Sequence, residues 1–281
     1  MPDEWGELVR AAAARLTEAG VDSPRVDAEL LAASVAGVDR SRLLIAPVPD
    51  SGQVARFAEL VERRANRRPV QHLVGSAGFW RGDLAVGPGV FVPRPETELL
   101  VEWALAQLVT IAAPVVADLC AGSGAIGHAV VTERPDATVY LVEKYPEAAV
   151  WLRRNMSDTV SIIVEGDATS PQTLSGRDGA CDAVLSNPPY VPSGVAPELS
   201  PEVTADPPTA LVGGADGLTV IRPLVPRAAR LLRPGGIVAI EHDDTHAEAV
   251  PDLLRQEGFT EVAEHHDLTG RPRFATGRKP V

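Results

Sequence analysis

The sequence predicts an α/β protein in which a doubly wound parallel sheet follows a small all-helical region and a β-hairpin connector. Apolar residues recur at helical spacing over the first 70 positions, whereas strand and helix patterns alternate from about residue 97 to the end. Such alternation is typical of a parallel sheet with helical crossovers. A length of 281 residues suggests about two domains. We therefore expect a helical domain at 1–70, the connector at 71–96 and the α/β domain at 97–281.

The first region contains three amphipathic segments. "WGELVRAAAARLTEAG" ends in a glycine, and "SPRVDAELLAASVAG" begins with Ser23 as the expected helix cap and a proline in the first helical turn. "SGQVARFAELVERRANRR" supplies a further helix. The arginines of "RRANRR", residues 63–68, are interpreted first as a solvated helix end and second as a patch that binds a partner.

The helical period ends in the next stretch, residues 69–98, where apolar residues alternate between glycines and favour a hairpin. A helix is expected from about Thr97 to Gln107. The strands and helices predicted after it are, in order, "VVADLC", "AIGHAVVTER", "TVYLVEK", "EAAVWLRRNM", "SIIVEGD", "CDAVLSN", "VIRPLVPRAARLL", "GIVAIEH", "EAVPDLLRQEG" and a closing pair of strands.

Composition excludes several classes of protein. The formal net charge is −12, and nearly all of the acidic excess falls after residue 80, which disfavours non-specific binding to nucleic acid. The sequence has neither a run of about 18 apolar residues nor a signal-peptide pattern, so we expect a cytoplasmic protein that does not insert into membranes. The two cysteines, Cys120 and Cys181, lie in apolar segments and are expected to be reduced.

A glycine-rich turn follows the first strand of the α/β region. Gly122, Gly124 and Gly127 in "DLCAGSGAIG" have the G-x-G-x-x-G spacing, which brings a helix N-terminus and exposed backbone close to a ligand. Glu143, at the end of the next strand, can bind a ribose hydroxyl pair. Together these features predict a ligand of the adenosine type.

Two further carboxylates favour one such ligand over another. A nicotinamide dinucleotide would use the same loop, but Asp118, at the mouth of the loop, would repel a pyrophosphate and could instead hold an amino group. Asp167, after the third strand, is placed to receive an adenine amine. S-adenosylmethionine has no phosphate and carries a sulfonium cation, so the carboxylates favour it.

The fourth strand ends in "SNPPY". Asn187 and the Pro188 backbone carbonyl can each accept a hydrogen bond from one planar NH₂ group, which would aim the nitrogen lone pair at a methyl donor. Pro188 and Pro189 keep these acceptors rigid, and Tyr190 can stack on the planar group. The pattern predicts methyl transfer to an amide or amine nitrogen.

These motifs, with "FVPRPETE", "LRPGG", "IEH" and "DLTGRPRFATGR", resemble the release-factor glutamine methyltransferases over nearly the whole chain. The resemblance implies a seven-stranded class I methyltransferase fold and N5-methylation of the glutamine in the Gly-Gly-Gln loop of class I peptide chain release factors. It also implies a cofactor site and a substrate site. The expected cofactor residues are Asp118, Cys120, Ala121, Gly122, Ser123, Gly124, Glu143, Asp167, Ala168 and Asn187. The expected substrate residues are Asn187, Pro188, Pro189 and Tyr190, with Phe91, Arg94 and Glu98 in a segment that closes over the site.

The sequence departs from the family pattern at Cys120 and Ala121, where glycine and a small hydroxyl residue are frequent, and at Ala168, where some members have an aromatic residue. The segment Asn187, Pro188, Pro189 and Tyr190 is called the clamp below. An adenine N6 amino-methyltransferase acting on nucleic acid remains an alternative, since the same clamp fits a flipped base. A third possibility is a non-enzymatic module that binds a release factor or a ribosomal partner. No histidine spacing indicates a metal site, and we expect a monomer.

Overall fold

The computed structural model describes residues 5–281. The chain divides into two compact units, which are described separately. The first runs through Ser76 and also contains Ser200–Ala205, and the second comprises Ala77–Leu199 and Asp206–Val281. The predicted domain boundaries at residues 70 and 96 stay a prediction.

The first unit is helical, as the sequence predicts. Asp50 caps the helix that begins at Ser51 in a capping box, in which its carboxylate accepts a hydrogen bond from the Gln53 backbone N–H. Ser23 is the N-cap residue of the helix that begins at Pro24, as the sequence predicts, but its hydroxyl makes no capping hydrogen bond. A short helix also lies inside the stretch assigned to the hairpin. Within the described residues the helices are α1 Trp5–Glu18, α2 Pro24–Ala36, α3 Ser51–Ala65 and α4 Val70–Val74, with a 3-10 turn at Arg40–Ile45.

A buried ion network replaces half of the expected arginine patch. Arg64 is only 5% exposed, and its guanidinium bonds Asp27 at 2.7 Å and Glu202 at 2.7 Å. Arg67 also bonds Glu202. Neither arginine is free to bind a partner through its charge, so the interpretation of the whole stretch as a solvated helix end is wrong for these two residues. Arg63 and Arg68 remain at the surface.

A two-stranded hairpin, β1 Ser76–Phe79 and β2 Gly82–Ala85, lies at the start of the second unit, with only Ser76 counted in the first, and strands then alternate with helices. The strands of its main sheet are β3 Val115–Leu119, β4 Thr138–Glu143, β5 Ser161–Glu165, β6 Cys181–Ser186, β7 Leu232–Glu241, β8 Thr260–His266 and β9 Pro272–Arg278. The helices are α5 Thr97–Leu108, α6 Ala125–Glu133, α7 Pro146–Asn155, α8 Pro208–Leu211, α9 Ile221–Leu231 and α10 Ala249–Gln256.

The seven strands lie in the order β5-β4-β3-β6-β7-β9-β8. Strands β3 to β7 are parallel, and β9 pairs antiparallel with both β7 and β8. The chain runs outward in one direction from β3 and then in the other from β6, so the switch point lies between these two strands. In open α/β sheets ligands bind at the carboxyl ends of the strands beside such a point.

Both faces of the sheet are covered by helices. Successive β6 residues serve opposite faces: Ala183 and Leu185 join a core with α5 and α6, whereas Val184 joins a core with α9 and α10. All of the β6 residues are buried. The doubly wound α/β prediction is therefore confirmed, and the buried central strands deliver their polar end residues to one edge.

Candidate active site

A cavity of about 290 Å³ lies at the carboxyl edge of the sheet. Its wall includes Asp167 after β5, Glu143 at the end of β4, Gly122 after β3 and Asn187 after β6. These four residues follow adjacent strands in sheet order, so residues expected to hold the cofactor and a residue expected to hold the substrate share one space.

The glycine loop is held open by its backbone conformation and by Glu143. Gly122 and Gly124 have φ values of 56° and 86°, in the left-handed region that favours glycine. Glu143 accepts hydrogen bonds from the backbone N–H groups of Gly122 and Tyr145, each at 2.8 Å. A Cβ at Gly127 would lie only 2.5 Å from the Leu141 side chain, so this glycine lets α6 pack closely on β4. Each part of the predicted fingerprint therefore has a physical role here.

The loop residues Cys120, Ala121, Gly122 and Ser123 all line the cavity, whereas Gly124 does not. Cys120 has φ 64°, which explains why glycine suits this position and why cysteine there is strained by about 1 kcal/mol. Burial raises the pKa of the Cys120 thiol above its ordinary range, so the side chain stays neutral.

Asp118 does not lie at the mouth of the loop, where its sequence position suggested it would be. It is buried, is absent from the cavity wall, and accepts a hydrogen bond from the Gly127 backbone N–H at 2.9 Å. Burial, with the nearby Glu143 charge, raises the pKa of Asp118 to about 7 despite that hydrogen bond. Its other oxygen, Oδ1, has no hydrogen-bond partner. Asp118 therefore supports the start of α6 from beneath the loop.

Asp167 lines the cavity with both carboxylate oxygens already engaged. Oδ1 accepts from the Thr169 backbone N–H and hydroxyl, and Oδ2 accepts from Lys144 at 2.9 Å. The Thr169 hydroxyl and Lys144 hold the pKa of Asp167 below its ordinary value, so the group is an anion. Ala168, which also lines the cavity, is small and leaves room beside it.

The Asn-Pro-Pro-Tyr segment is only partly exposed to the cavity. Asn187 and Pro189 belong to its wall, whereas Pro188 and Tyr190 do not. The Tyr190 hydroxyl donates to Glu241 at 3.0 Å, and its ring packs against the core under α9 and α10. Burial and the Glu241 charge raise the pKa of Tyr190 well above its ordinary value. The predicted stacking by Tyr190 stays a prediction, and the observed contact is a hydrogen bond behind the clamp.

The segment after the hairpin brings Phe91, Pro93 and Thr97 to the cavity wall. Arg94 does not reach that wall: its guanidinium lies over the Phe91 ring, 4.9 Å from the centroid, and pairs with Asp206 at 2.5 Å. Glu98 also lies away from the wall and accepts a hydrogen bond from the Trp80 backbone N–H at 2.7 Å. These two residues position the segment, and their direct contact with substrate stays a prediction.

Several residues that hold the cavity wall in place belong to no motif from which their contacts could be predicted. Asp206 anchors the Phe91 segment, and its carboxyl, whose pKa burial raises to about 6, also accepts from the Val92 backbone N–H. Gly213 and Gly217 approach the clamp so closely that a Cβ on Gly213 would lie 2.7 Å from the Pro189 carbonyl oxygen. The glycine cluster in "VGGADG" was the available signal for this close approach.

The remaining polar clusters have structural partners. His242 bonds Glu264 at 3.0 Å, and His246 bonds the Asp216 backbone carbonyl at 2.9 Å. Between residues 5 and 281 no group of three or more His, Cys, Asp or Glu side chains is arranged to hold a metal ion. Over the same residues no helix has both the length and the apolar character needed to cross a bilayer. Cys120 and Cys181 are free thiols.

The donor set of the cavity fits S-adenosylmethionine. It offers a carboxylate at a strand end, a glycine loop without intruding side chains and a second carboxylate, Asp167, and two anions suit a ligand without phosphate better than a pyrophosphate. Together with the seven-stranded sheet and the Asn-Pro-Pro-Tyr segment, this defines the class: an S-adenosylmethionine-dependent methyltransferase of the class I fold.

Comparison with known proteins narrows the class to one family. Residues 7–75 match the PrmC N-terminal domain, and residues 87–265 match the methyltransferase small domain. The chain is 51% identical over 273 residues to the release factor glutamine methyltransferase of Mycolicibacterium smegmatis, covering 96% of each chain. It is 47% identical over 277 residues to the protein of that name from Streptomyces coelicolor, covering 97% of each. The chain belongs to the release factor glutamine methyltransferase family, as the sequence motifs predicted.

The fold is also found in a solved structure. A methyltransferase from Pyrococcus furiosus superposes with a TM-score of 0.51 at 19% identity, covering 81% of this chain and 99% of that one. At this identity the likeness confirms the fold alone.

Proposed function

We propose that this enzyme transfers a methyl group from S-adenosylmethionine to the side-chain amide nitrogen of the glutamine in the Gly-Gly-Gln loop of class I peptide chain release factors. The observation that carries the proposal is the single cavity whose wall contains both Glu143 with the glycine loop and Asn187 with Pro189. The relatives align with 96% and 97% of the chain, and their names support the choice of acceptor.

The proposed chemistry requires activation of a weak nucleophile. The lone pair of an amide nitrogen is delocalised into the carbonyl group, so the nitrogen reacts only when its geometry is held away from planarity. Two acceptors, the Asn187 side-chain oxygen and the Pro188 backbone carbonyl, would bind the two N–H groups and aim the lone pair at the methyl group. As the C–N bond forms, the S–CH₃ bond would break, S-adenosylhomocysteine would leave and the N–H proton would pass to solvent. Because that proton becomes acidic only in this step, no general base is needed before transfer.

Cavity residues would hold the cofactor at its polar groups. Glu143 would accept hydrogen bonds from the ribose hydroxyls with the lone pairs that Gly122 and Tyr145 leave unused. Asp167 would accept from the adenine amine, in place of or beside Lys144. Bound S-adenosylmethionine supplies an electrophilic methyl group. Phe91 and Pro93 contribute apolar surface that limits the access of water.

Asn187→Ala tests the clamp. Loss of one acceptor that acts in the transition state should lower kcat on release factor by about 100-fold or more, while the affinity for S-adenosylmethionine changes little. Gln172→Ala, which removes an exposed carboxamide outside the cavity, is the matched control. Labelled methyl incorporation should be measured into release factor, duplex DNA and ribosomal RNA in parallel. Transfer to DNA but not to release factor would instead support the adenine N6 alternative.

The helical unit is proposed to select the protein substrate. A pocket that grips one planar amide cannot distinguish among the glutamines of a cell, so selectivity requires contacts elsewhere. Arg63 and Arg68 are the arginines of their stretch that remain exposed. Arg63→Glu/Arg68→Glu should raise the KM for intact release factor and leave the KM for a Gly-Gly-Gln peptide unchanged, with Arg10→Glu as control. Equal KM values in the variant and the wild type would exclude these two arginines.

The proposal further places the enzyme in the cytoplasm, where release factors act, as a monomer. Light scattering of the purified protein at micromolar concentration tests the oligomeric state: a mass near 29.6 kDa is expected.

A further inference from the structure

A buried chain of hydrogen bonds runs behind the clamp. The Asn187 side-chain nitrogen Nδ2 lies 3.2 Å from the Thr97 hydroxyl oxygen, and that oxygen lies 2.7 Å from Glu241 Oε2. The second carboxylate oxygen, Oε1, accepts from the Tyr190 hydroxyl at 3.0 Å. Thr97 is 3% exposed and Glu241 is 1% exposed, so water does not compete for these bonds.

The topology explains why these residues meet. Strands β6 and β7 are parallel neighbours with Ser186 opposite Ile240. The next residues along the two strands are Asn187 and Glu241, which therefore emerge side by side at the carboxyl edge. Thr97, the first residue of α5, is brought against them although it is separated from Glu241 by 144 positions in the chain.

The chemistry of the three groups determines which atom donates and which accepts in each of these hydrogen bonds. A carboxylate has no proton to give, so the Thr97 hydroxyl must donate its only proton to Glu241. The Thr97 oxygen is then left as an acceptor, and the group of Asn187 that faces it must be the NH₂ donor. The two ends of a carboxamide are opposed, so the Asn187 carbonyl oxygen is turned away from Thr97.

From this geometry we infer that Glu241 and Thr97 are positioning residues, which set the rotational state of the Asn187 carboxamide so that its oxygen faces the acceptor amide. The inference rests on the proposed function and adds two residues to it. With the carboxamide reversed, Asn187 would present an NH₂ donor to the substrate NH₂, and one of the two acceptors that activate the nitrogen would be lost.

The groups around Glu241 offset part of the cost of burying its charge. Burial raises the pKa of Glu241 above its ordinary value, and the Glu96 charge adds to this, whereas the hydrogen bonds donated by Thr97 and Tyr190 and the positive charge of Arg273 favour the anion. Arg273, on β9, is itself held by Asp267 at 2.9 Å. A cation fixed beside the carboxylate stabilises the acceptor-only state on which the direction of the chain depends.

Thr97→Val tests the inference, because it removes the hydroxyl and nearly conserves the volume of the side chain. We expect kcat on release factor to fall by about 10- to 100-fold, since misorientation of one catalytic group has costs of this size. The affinity for S-adenosylmethionine should stay within about 2-fold. Thr97→Ser, which restores the hydroxyl, should recover most of kcat. Thr132→Val, which removes an exposed hydroxyl bonded to the His128 carbonyl, is the matched control.

Glu241→Gln tests the donor-to-acceptor order of the hydrogen bonds from Asn187 through Thr97 to Glu241. The new amide can donate to Thr97, which frees the threonine proton and removes the reason for Asn187 to present its NH₂ group. A similar loss of kcat is expected, and Thr97→Val/Glu241→Gln should be no worse than the more damaging single variant, because both act through the same Asn187 carboxamide.

A measurement that needs no substrate separates this inference from the proposed function. The side-chain NH₂ resonances of Asn187, assigned by comparison with Asn187→Ala in ¹⁵N-labelled enzyme, should shift in Thr97→Val and return toward wild type in Thr97→Ser. Unchanged resonances, or wild-type kcat in Thr97→Val, would overturn the positioning role. Absence of release-factor methylation by the wild-type enzyme, with the resonance shifts as expected, would instead overturn the proposed function.

Discussion

Glu143→Ala is expected to weaken cofactor binding far more than it slows the chemical step. The carboxylate lies on the cavity wall, 5% exposed, and each oxygen accepts one backbone N–H at 2.8 Å. A ribose hydroxyl pair would therefore meet a preformed anion whose orientation is already fixed. We expect a net loss of about 1.5–3 kcal/mol, the range for one hydrogen bond to a charged group, which corresponds to roughly a 10- to 150-fold higher Kd.

The variant also removes the acceptor for the Gly122 and Tyr145 N–H groups, so the free energy of unfolding should fall by roughly 2–4 kcal/mol. Isothermal titration calorimetry gives the Kd, and urea denaturation reports whether the fold survives. Glu165→Ala is the matched control, because Glu165 lies opposite Glu143 on the neighbouring strand but is exposed and outside the cavity. Unchanged affinity for S-adenosylmethionine in folded Glu143→Ala, or tight binding of a nicotinamide dinucleotide to the wild type, would refute the assignment of the cofactor site.

Three further changes have expected outcomes. The pKa of Asp118 is about 7 in the folded protein and exceeds its value in the unfolded chain, so the ligand-free protein should lose stability as pH rises from about 4 to 7. The expected loss from this group is roughly 4 kcal/mol, and urea titrations across that pH range should show that Asp118→Asn removes it. Gly217→Ala, at φ 75° and in collision with the Tyr190 carbonyl, should cost roughly 2–5 kcal/mol of stability, whereas Gly176→Ala, with open space around it, should cost little. Arg64→Leu should cost roughly 3–5 kcal/mol by leaving Asp27 unpaired in a buried position, without changing the Kd for S-adenosylmethionine; retained stability in thermal melts would contradict the ion-pair account.

Local chemistry made the fold and part of the site predictable. The glycine spacing after β3 requires close backbone approach, and the structure places Gly122 at positive φ against the Glu143 carboxylate. Two prolines after a buried strand must end it, so Asn187 was expected at the carboxyl edge, where it is found on the cavity wall. Each of these features depends on a few neighbouring residues, so it can be predicted from the motif alone.

What the sequence could not supply depends on contacts between distant segments. The sequence around Arg64 is typical of an exposed helix end. In the structure Arg64 bonds Glu202, which is 138 positions away in the chain. Asp118 lies next to the glycine loop in sequence, yet the packing of α6 on the sheet buries it. Motif spacing predicts the position of a residue in its strand or loop. The burial of its side chain and the identity of its hydrogen-bond partner depend on tertiary packing, which no local pattern encodes.

The clamp requires this long-range construction for a physical reason. An acceptor that could move with the substrate NH₂ would follow it into a planar geometry and would give no advantage to the pyramidal nitrogen of the transition state. The backbone of Pro189 is backed directly by Gly213, with no room for a Cβ between them, and the Asn187 carboxamide is held from behind by Thr97. Prolines restrict the local torsions, but only a second segment packed against the chain can prevent its displacement. Burial of the Glu241 carboxylate costs stability. In exchange, the Asn187 carbonyl oxygen is held in the position and orientation of an acceptor before the substrate binds.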